Sequence, residues 1–114
     1  MDKLNHYRTL ITRFLSEYTT LSNRCSSQNG VETHTIFDET QDHYMVYRTG
    51  WGKQKRVHSA VLYVRLNNDK IYIEEDGTED GIATNLLEAG VPKEDIVLAF
   101  HPPEMRQYTE FAVA

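Results

Sequence analysis

The last third of the chain, Lys70 to Ala114, constrains the fold most, because turn and cap residues separate the predicted elements there. A strand is predicted over residues 70–75 by its alternating apolar side chains. Thr78 is a favourable N-cap for a second, shorter helix, and Gly90 is suited to the left-handed conformation that ends a helix. The apolar run over residues 96–100 predicts a final strand. Such closely spaced signals specify one backbone path.

The first part of the chain carries the periodicity of a long helix. Apolar residues recur alternately three and four positions apart, in the series Leu4, Tyr7, Ile11, Phe14, Tyr18, Leu21 and Cys25, and the stripe is widened by Leu10 and Leu15. Such a stripe predicts a helix whose apolar face packs across a sheet. The alternative is a self-association seam of the coiled-coil type, which would make the protein a homo-oligomer. Asp2 is expected to favour the helix start, and Gly30 to stop the helix.

Between residues 31 and 66 the period changes to two, which is typical of half-buried strands. Strands are predicted over about residues 31–37, 43–49 and 57–66, with Gly50-Trp51-Gly52 breaking the second. Asn67-Asn68-Asp69 favours a tight hairpin, because Asn and Asp tolerate positive φ. Since short turns join successive strands, an antiparallel meander is the simplest arrangement. We therefore predict one α+β domain over residues 1–114: a long N-terminal helix packed on a mainly antiparallel β-sheet, followed by a second, shorter helix and a final strand.

Composition restricts the class of protein. The chain has 114 residues, 39% of them apolar, and no apolar run near the roughly 20 residues that a membrane span needs. Its single cysteine, Cys25, cannot form an intramolecular disulfide and is expected to be a small buried hydrophobe. No apolar signal core follows the N-terminus, so a cytoplasmic protein is expected. The formal net charge of −5 opposes non-specific binding to nucleic acid, which Lys and Arg drive.

A basic and aromatic hairpin is the feature that favours contact with nucleic acid. Trp51 lies among Arg48, Lys53, Lys55 and Arg56 in the sequence. Such residues can hold phosphates and stack on bases, so direct DNA binding through this hairpin is an alternative function. The simpler interpretation is a hairpin end that charge keeps soluble, with Trp51 in the core or at a protein interface.

The signals for catalytic chemistry are weak. The acids from Glu74 to Asp80 could hold a divalent cation, which makes a metal-dependent enzyme a second alternative. They lack the spacing of a calcium loop, and turn or helix-cap roles account for Asp76 and Glu79. The five histidines are scattered, and the sequence contains no nucleophile elbow and no phosphate-binding loop. We therefore predict no enzyme activity, no metal site and no cofactor.

The C-terminal part carries a detailed family pattern. The matching segments are, in order, Lys70-Ile71-Tyr72-Ile73, Asp76, Thr78-Glu79-Asp80-Gly81-Ile82-Ala83, Gly90-Val91-Pro92, Asp95 to Pro103, Arg106 and Phe111-Ala112. Upstream, the helix with Tyr7 and the strand segment leading to Gly50-Trp51 also match. With this order and spacing, the chain resembles the fdxN-element excision controlling factors, the XisI-like proteins of cyanobacteria, over nearly its whole length. The resemblance implies an accessory factor that controls excision of a DNA element by a site-specific recombinase during heterocyst development. It also implies a companion protein, XisH, and it transfers no catalytic residue.

How such a factor would act is a separate expectation. The acidity of the chain, the lack of a catalytic constellation and the many aromatic residues favour protein–protein binding to the companion protein or the recombinase. Aromatic side chains are favoured anchors of such interfaces. We expect the partner-binding residues to be Trp51, Tyr72, His101, Arg106 and Phe111.

Overall fold

The computed structural model describes residues 3–26, 30–52, 54–78 and 81–113. The helices are α1 (Lys3–Ser26), α2 (Ile82–Glu88) and the short α3 (Pro103–Arg106). The strands are β1 (Val31–Asp38), β2 (His43–Trp51), β3 (Arg56–Asn67), β4 (Lys70–Asp76) and β5 (Ile96–Leu98), and a 3₁₀ turn over Lys93–Asp95 precedes β5. The predicted order of helices and strands is therefore confirmed.

The sheet keeps the order of the chain. Its strands are arranged β1-β2-β3-β4-β5, and β1 to β4 pair antiparallel in succession. β5 lies parallel to β4, with Tyr72 opposite Val97. A parallel neighbour needs a crossover connection, and α2 lies in that connection. The prediction of a mainly antiparallel sheet is confirmed.

Helix α1 lies across one face of the sheet and buries the main core against it. The sheet contributes alternate residues of β2, β3 and β4 together with one residue of β5: Tyr44, Val46, Leu62, Val64, Leu66, Ile71, Ile73 and Ile96. The first two helices contribute Tyr7, Leu10, Ile11, Leu15, Ile82 and Leu86. Full burial of an aliphatic side chain stabilises a fold by roughly 1.5–3 kcal/mol. This layer is therefore the main source of stability.

The apolar stripe of α1 is divided between core and surface. Ile11 and Leu15 are fully buried against the sheet. Phe14 and Tyr18 are only partly buried, and Leu21 is 57% exposed. The prediction that α1 packs across a sheet is confirmed. The end of the stripe at Leu21 lies outside the core, where the neighbouring Ser22 and Asn23 contact Thr33 of the edge strand β1.

The start of α2 differs from the prediction. The N-cap is Gly81 and not Thr78, and the helix begins at Ile82. The Asp76 carboxylate accepts the backbone N–H of Ile82 at 2.7 Å, and its other oxygen accepts the backbone N–H of Thr78 at 2.9 Å. Asp76, at the end of β4, thus satisfies the helix N-terminus that a side-chain cap usually satisfies. Gly90 has φ 99°, as predicted for a glycine that ends a helix.

Strand β2 continues through Gly50 to Trp51, beyond the predicted end at residue 49. Gly50 lies opposite Val31, and a Cβ on it would come within 2.1 Å of the carbonyl oxygen of Gly30. A glycine at φ 146° therefore allows the two strands to approach closely. Pairing continues where the glycines of the sequence indicated a break.

Two partly buried polar contacts fasten α1 to the sheet. Arg8 donates to both carboxylate oxygens of Asp42, from Nε at 2.7 Å and from an Nη at 3.1 Å, and the Tyr44 hydroxyl donates to the same carboxylate at 2.8 Å. Farther along the sheet, Tyr7 donates to Asp95. Hydrogen bonds from Arg8 hold the pKa of Asp42 below its ordinary value. Burial, together with the hydrogen bonds to the two carboxylates, raises the pKa of Tyr7 and of Tyr44.

Some predictions fall on residues outside the described ranges. They concern the helix start at Asp2, the basic Lys53, and the acids Glu79 and Asp80. The burial expected for the Cys25 side chain also lies outside what the structure describes. Among the helices of the described ranges, none combines the length and apolarity needed to cross a lipid bilayer.

Candidate interaction surface

The face of the sheet opposite α1 carries an apolar patch. The register of β1, β2 and β3 places two cross-strand rows on this face, since residues directly opposite each other in antiparallel strands point the same way. The rows are Ile36–Met45–Tyr63 and His34–Tyr47–Ala60, which together are named the open face. The open face thus spans three neighbouring strands.

The open face lies outside the core. Ile36 is 49% exposed, and Met45, Tyr47 and Tyr63 are half-buried. These side chains neither belong to the buried cluster nor pack against it. Tyr44 and Val46, which alternate with these residues along β2 and point to α1, are fully buried. β2 is therefore apolar on both of its faces, and α1 covers one of them.

Hydrogen bonds join two residues of the open face, Tyr63 and His34, to polar residues at its border. The Tyr63 hydroxyl lies 2.8 Å from Nδ1 of His43, and Nε2 of His34 lies 3.0 Å from the Thr49 hydroxyl. The polar ends of these side chains are thus satisfied within the sheet, while their ring surfaces remain partly accessible. An apolar centre inside a polar rim is typical of protein–protein interfaces.

Trp51 extends this surface towards the end of the β2–β3 hairpin. It follows Tyr47 by four positions on the same strand and so lies on the same face. Trp51 is 61% exposed, and the guanidinium carbon of Arg56 lies 5.8 Å from the centroid of its indole ring. This exposure contradicts the prediction that Trp51 lies in the core, and its place at a protein interface stays a prediction.

The other predicted partner-binding residues do not join the open face. Tyr72 is only 7% exposed, so it offers a partner little area. Arg106 donates from Nε to the carbonyl oxygen of His101 at 3.0 Å and from an Nη to that of Ala99 at 3.3 Å. Phe111 is partly buried against the core. These contacts hold the chain after β5 in place, which gives the C-terminal residues a role in the fold.

The predicted basic residues do not share one face. Arg48 lies opposite Thr33, whose hydroxyl contacts α1, so Arg48 is on the helix side of the sheet. Arg56 lies on the other face beside Trp51. Lys55 is exposed in the turn between the two strands. Within the described residues, the positive charge near the indole therefore comes from Lys55 and Arg56.

The acids considered for a metal site have structural contacts instead. Glu74 accepts a hydrogen bond from Nε of Arg65 at 2.6 Å, and Asp76 holds the start of α2. A group of His, Cys, Asp and Glu that could hold a metal ion does not occur within the described ranges, which omit Glu79 and Asp80.

The apolar residues of the open face are absent from the predicted site, although the sequence contains one signal for them. Tyr44 and Val46 alternate with Met45 and Tyr47 along β2. An antiparallel sheet covered on one side usually shows polar residues on the other. Apolar residues at both even and odd positions of β2 therefore indicate that its second face also serves as a contact surface.

A second apolar surface lies between α1 and α2. Phe14, Tyr18 and Leu21 of α1 line a groove of about 440 Å³ together with Leu62 and Ile82. This is where the second half of the α1 stripe is accessible. The self-association predicted from that stripe therefore concerns this groove, and it stays a prediction.

Comparisons with known proteins agree with this architecture. The family model described as XisI protein matches residues 1–113. The chain is similar to the crystal structure of an fdxN element excision controlling factor XisI from Anabaena variabilis ATCC 29413, with 44% identity, a TM-score of 0.86, and coverage of 99% of this chain and 100% of that chain. It is also similar to a XisI-like protein from the same organism, with 34% identity, a TM-score of 0.88, and coverage of 97% and 99%. No curated protein sequence matches the chain at a significant level.

Proposed function

The chain belongs to the XisI protein family, and on this premise we propose that it is an accessory factor controlling excision of a DNA element by a site-specific recombinase. The name of the relative at 44% identity, fdxN element excision controlling factor, supports this role. Both solved relatives come from Anabaena variabilis, which supports a cyanobacterial setting. A cytoplasmic location and a role in heterocyst development are further parts of the proposal. We further propose that the chain acts by binding a protein, either a XisH-like companion or the recombinase, and does not itself cut DNA.

The single observation that carries the binding mechanism is the open face. A sheet face with Ile36, Met45 and two tyrosines accessible keeps apolar area in water, and covering such area stabilises a complex. Aromatic residues and methionine are enriched in protein interfaces. The rigid sheet beneath them holds these side chains in place before a partner arrives, which lowers the ordering cost of binding.

Charge supports a protein partner over non-specific DNA binding. The formal net charge of −5 repels phosphates at long range. The two rows of the open face contain no lysine and no arginine to neutralise phosphates. The surface therefore favours a partner with its own apolar patch.

The binding mechanism is tested with Ile36→Lys. A lysine in the row Ile36–Met45–Tyr63 would bring an ammonium group into the covered area, where burying an unpaired charge is costly. We expect the affinity for a purified XisH-like companion or for the recombinase to fall by at least about tenfold, or about 1.4 kcal/mol. Calorimetry or biolayer interferometry at matched ionic strength measures this change.

The matched control is Thr20→Lys, which makes the same charge change at an exposed position of α1. This variant should bind like the wild type. Equal weakening by both variants would point to a general charge effect and would contradict binding through the open face. No complex with either candidate partner at micromolar concentrations would contradict the protein-binding mechanism as a whole.

The role in excision is tested separately from the mechanism. An excision assay with the recombinase and its DNA element is run with the wild-type chain, with Ile36→Lys and without the chain. We expect the wild type to change the yield of excised DNA and the variant to lose this effect. An unchanged yield in all three reactions would contradict the excision role.

Direct DNA contact through the hairpin end is a second candidate, favoured by the exposed indole of Trp51 beside Arg56. Stacking of a base on the indole and phosphate contacts from Lys55 and Arg56 are the expected interactions. Affinity would then fall steeply with salt and would fall further in Lys55→Glu and Arg56→Glu. A salt-independent signal, unchanged in these variants, would exclude this mode of binding.

A further inference from the structure

β1 is an edge strand, since it pairs only with β2 within the described part of the sheet. Successive residues of an antiparallel strand direct their backbone groups alternately towards the neighbour and away from it. The carbonyl of Gly30 accepts the N–H of Trp51 at 3.0 Å, so the even-numbered positions of β1 face β2. The residues with outward-pointing backbone groups are then Val31, Thr33, Thr35 and Phe37. A further strand could pair along this row.

The side-chain amide of Asn23, on α1, occupies the outward position at Thr33. Its Nδ2 donates to the Thr33 carbonyl at 2.9 Å, and its Oδ1 accepts the Thr33 N–H at 2.9 Å. One side chain therefore makes both hydrogen bonds that a residue of a paired strand would make. Ser22 adds a contact to the Thr33 hydroxyl at 3.0 Å, and Thr33 is buried. This part of the edge is closed to another chain.

The opposite edge of the sheet is also covered by a segment outside the named strands. Ala112 donates its N–H to the Ile96 carbonyl at 2.8 Å and forms a parallel bridge with Val97. Uncovered edge strands invite pairing between copies of a protein, and native folds cover or interrupt them. The two edges of this sheet thus have comparable protection.

We propose that Asn23 prevents strand addition at β1 by a second copy of this chain. A second copy fits this edge because β1 is self-complementary in the antiparallel register that places Val31 opposite Phe37 of the other copy. This register pairs residues 31–37 of the strand with each other, sets Thr33 opposite Thr35, and brings no two acids together. Threonine pairs across strands are favourable. Asn23 blocks this pairing at Thr33, the second residue of β1 whose backbone groups point outward.

The proposal is tested by the mass of Asn23→Ala in solution, measured by light scattering over a concentration series. Reducing conditions exclude disulfide formation through Cys25. We expect Asn23→Ala to approach twice the wild-type mass as concentration rises, while the wild-type mass stays constant over the same range. Ser22→Ala is the matched control, because it leaves the Asn23 amide in place, and it should keep the wild-type mass.

A double variant identifies the edge that pairs. Thr35→Pro removes an outward-pointing N–H that the β1–β2 ladder does not use, so it blocks a further strand and spares the existing pairing. Asn23→Ala combined with Thr35→Pro should therefore return to the wild-type mass. This result would distinguish pairing along β1 from association through the groove between α1 and α2.

Two results would overturn the proposal. One is a folded Asn23→Ala variant that keeps the wild-type mass at every concentration. The other is a double variant that remains as large as the single variant. If circular dichroism shows that Asn23→Ala does not fold, Asn23→Asp replaces it, since it keeps the acceptor for the Thr33 N–H and sets a carboxylate against the Thr33 carbonyl. An Asn23→Asp variant of wild-type mass, or a double variant with Thr35→Pro that remains as large as Asn23→Asp, would then overturn the proposal.

Discussion

Tyr7 of the first helix donates a hydrogen bond to Asp95, a residue 88 positions later in the chain. Lys3 adds an ion pair to the same carboxylate, with 3.1 Å between Nζ and Oδ2. Asp95 ends the 3₁₀ turn that leads into β5. The contact therefore fixes α1 relative to the last strand of the sheet.

Tyr7→Phe should lower the free energy of unfolding by about 1–3 kcal/mol, because the partly buried carboxylate of Asp95 loses a donor. Urea denaturation at neutral pH measures the loss. Tyr108→Phe is the control, since Tyr108 is 77% exposed, and it should change stability by less than about 0.5 kcal/mol. Equal effects of the two substitutions would show that the contact with Asp95 adds nothing.

The free energy of unfolding should fall as the pH rises above 10, the ordinary pKa of tyrosine. Burial and the hydrogen bonds to Asp95 and Asp42 raise the pKa of Tyr7 and Tyr44 above 10.0 in the folded chain. As the pH rises, the unfolded chain therefore loses the two tyrosine hydroxyl protons before the folded chain does. The stabilisation from these two tyrosines is complete below pH 10 and declines above it. Urea denaturation between about pH 8 and about pH 11 measures the decline. Tyr44→Phe should show a shallower decline than the wild type, and an equal slope would contradict this account.

Asp42→Asn should destabilise the fold by about 1–3 kcal/mol at neutral pH, because Arg8 and Tyr44 lose a charged acceptor. The hydrogen bonds from Arg8 lower the pKa of Asp42 in the folded state. The stabilisation from the ionised Asp42 carboxylate is therefore present above a pH of about 3.9, the pKa of Asp in the unfolded chain. It is lost as the pH falls through the lower pKa of Asp42 in the folded chain. The difference in stability between wild type and variant should shrink below about pH 4. Glu39→Gln, at an exposed position, is the control and should give a small, nearly constant difference.

Arg106→Lys should loosen the chain after β5. A lysine has no planar fork and cannot reach the carbonyls of His101 and Ala99 from one position, so we expect a loss of about 1–2 kcal/mol. The loss should be local, with faster hydrogen exchange at the amide of Ala112, which bonds to the Ile96 carbonyl. Unchanged protection at Ala112 would contradict the role assigned to Arg106.

Local signals in the sequence were sufficient where one element depends on its own residues. The period of three and four residues predicts α1, and the alternation after residue 31 predicts the strands to within a few residues. The turn before β4 has φ of 53° at Asn68 and 62° at Asp69, the positive values that these residue types tolerate. In each case the physical cause lies within a few positions of the feature.

The start of α2 was only partly predictable. The sequence indicated a turn or cap role for Asp76, which accepts the Ile82 N–H, but the choice of Thr78 as the N-cap misplaced the helix start, since the N-cap is Gly81.

Features that depend on distant residues were not predictable from local patterns. The strand register places Trp51 opposite Arg56 and Tyr72 opposite Arg65, and this keeps the two aromatic residues apart. The open face likewise depends on which residue of β1 meets which residue of β2, and periodicity does not fix that register.

The exposed indole of Trp51 gives this protein a built-in optical reporter. It is the one tryptophan of the chain, and it already meets solvent at the end of the hairpin. Its emission should therefore shift little when the chain denatures and move to shorter wavelengths when another molecule covers the hairpin. Fluorescence titration of the unlabelled protein would then register docking near Trp51 independently of global melting.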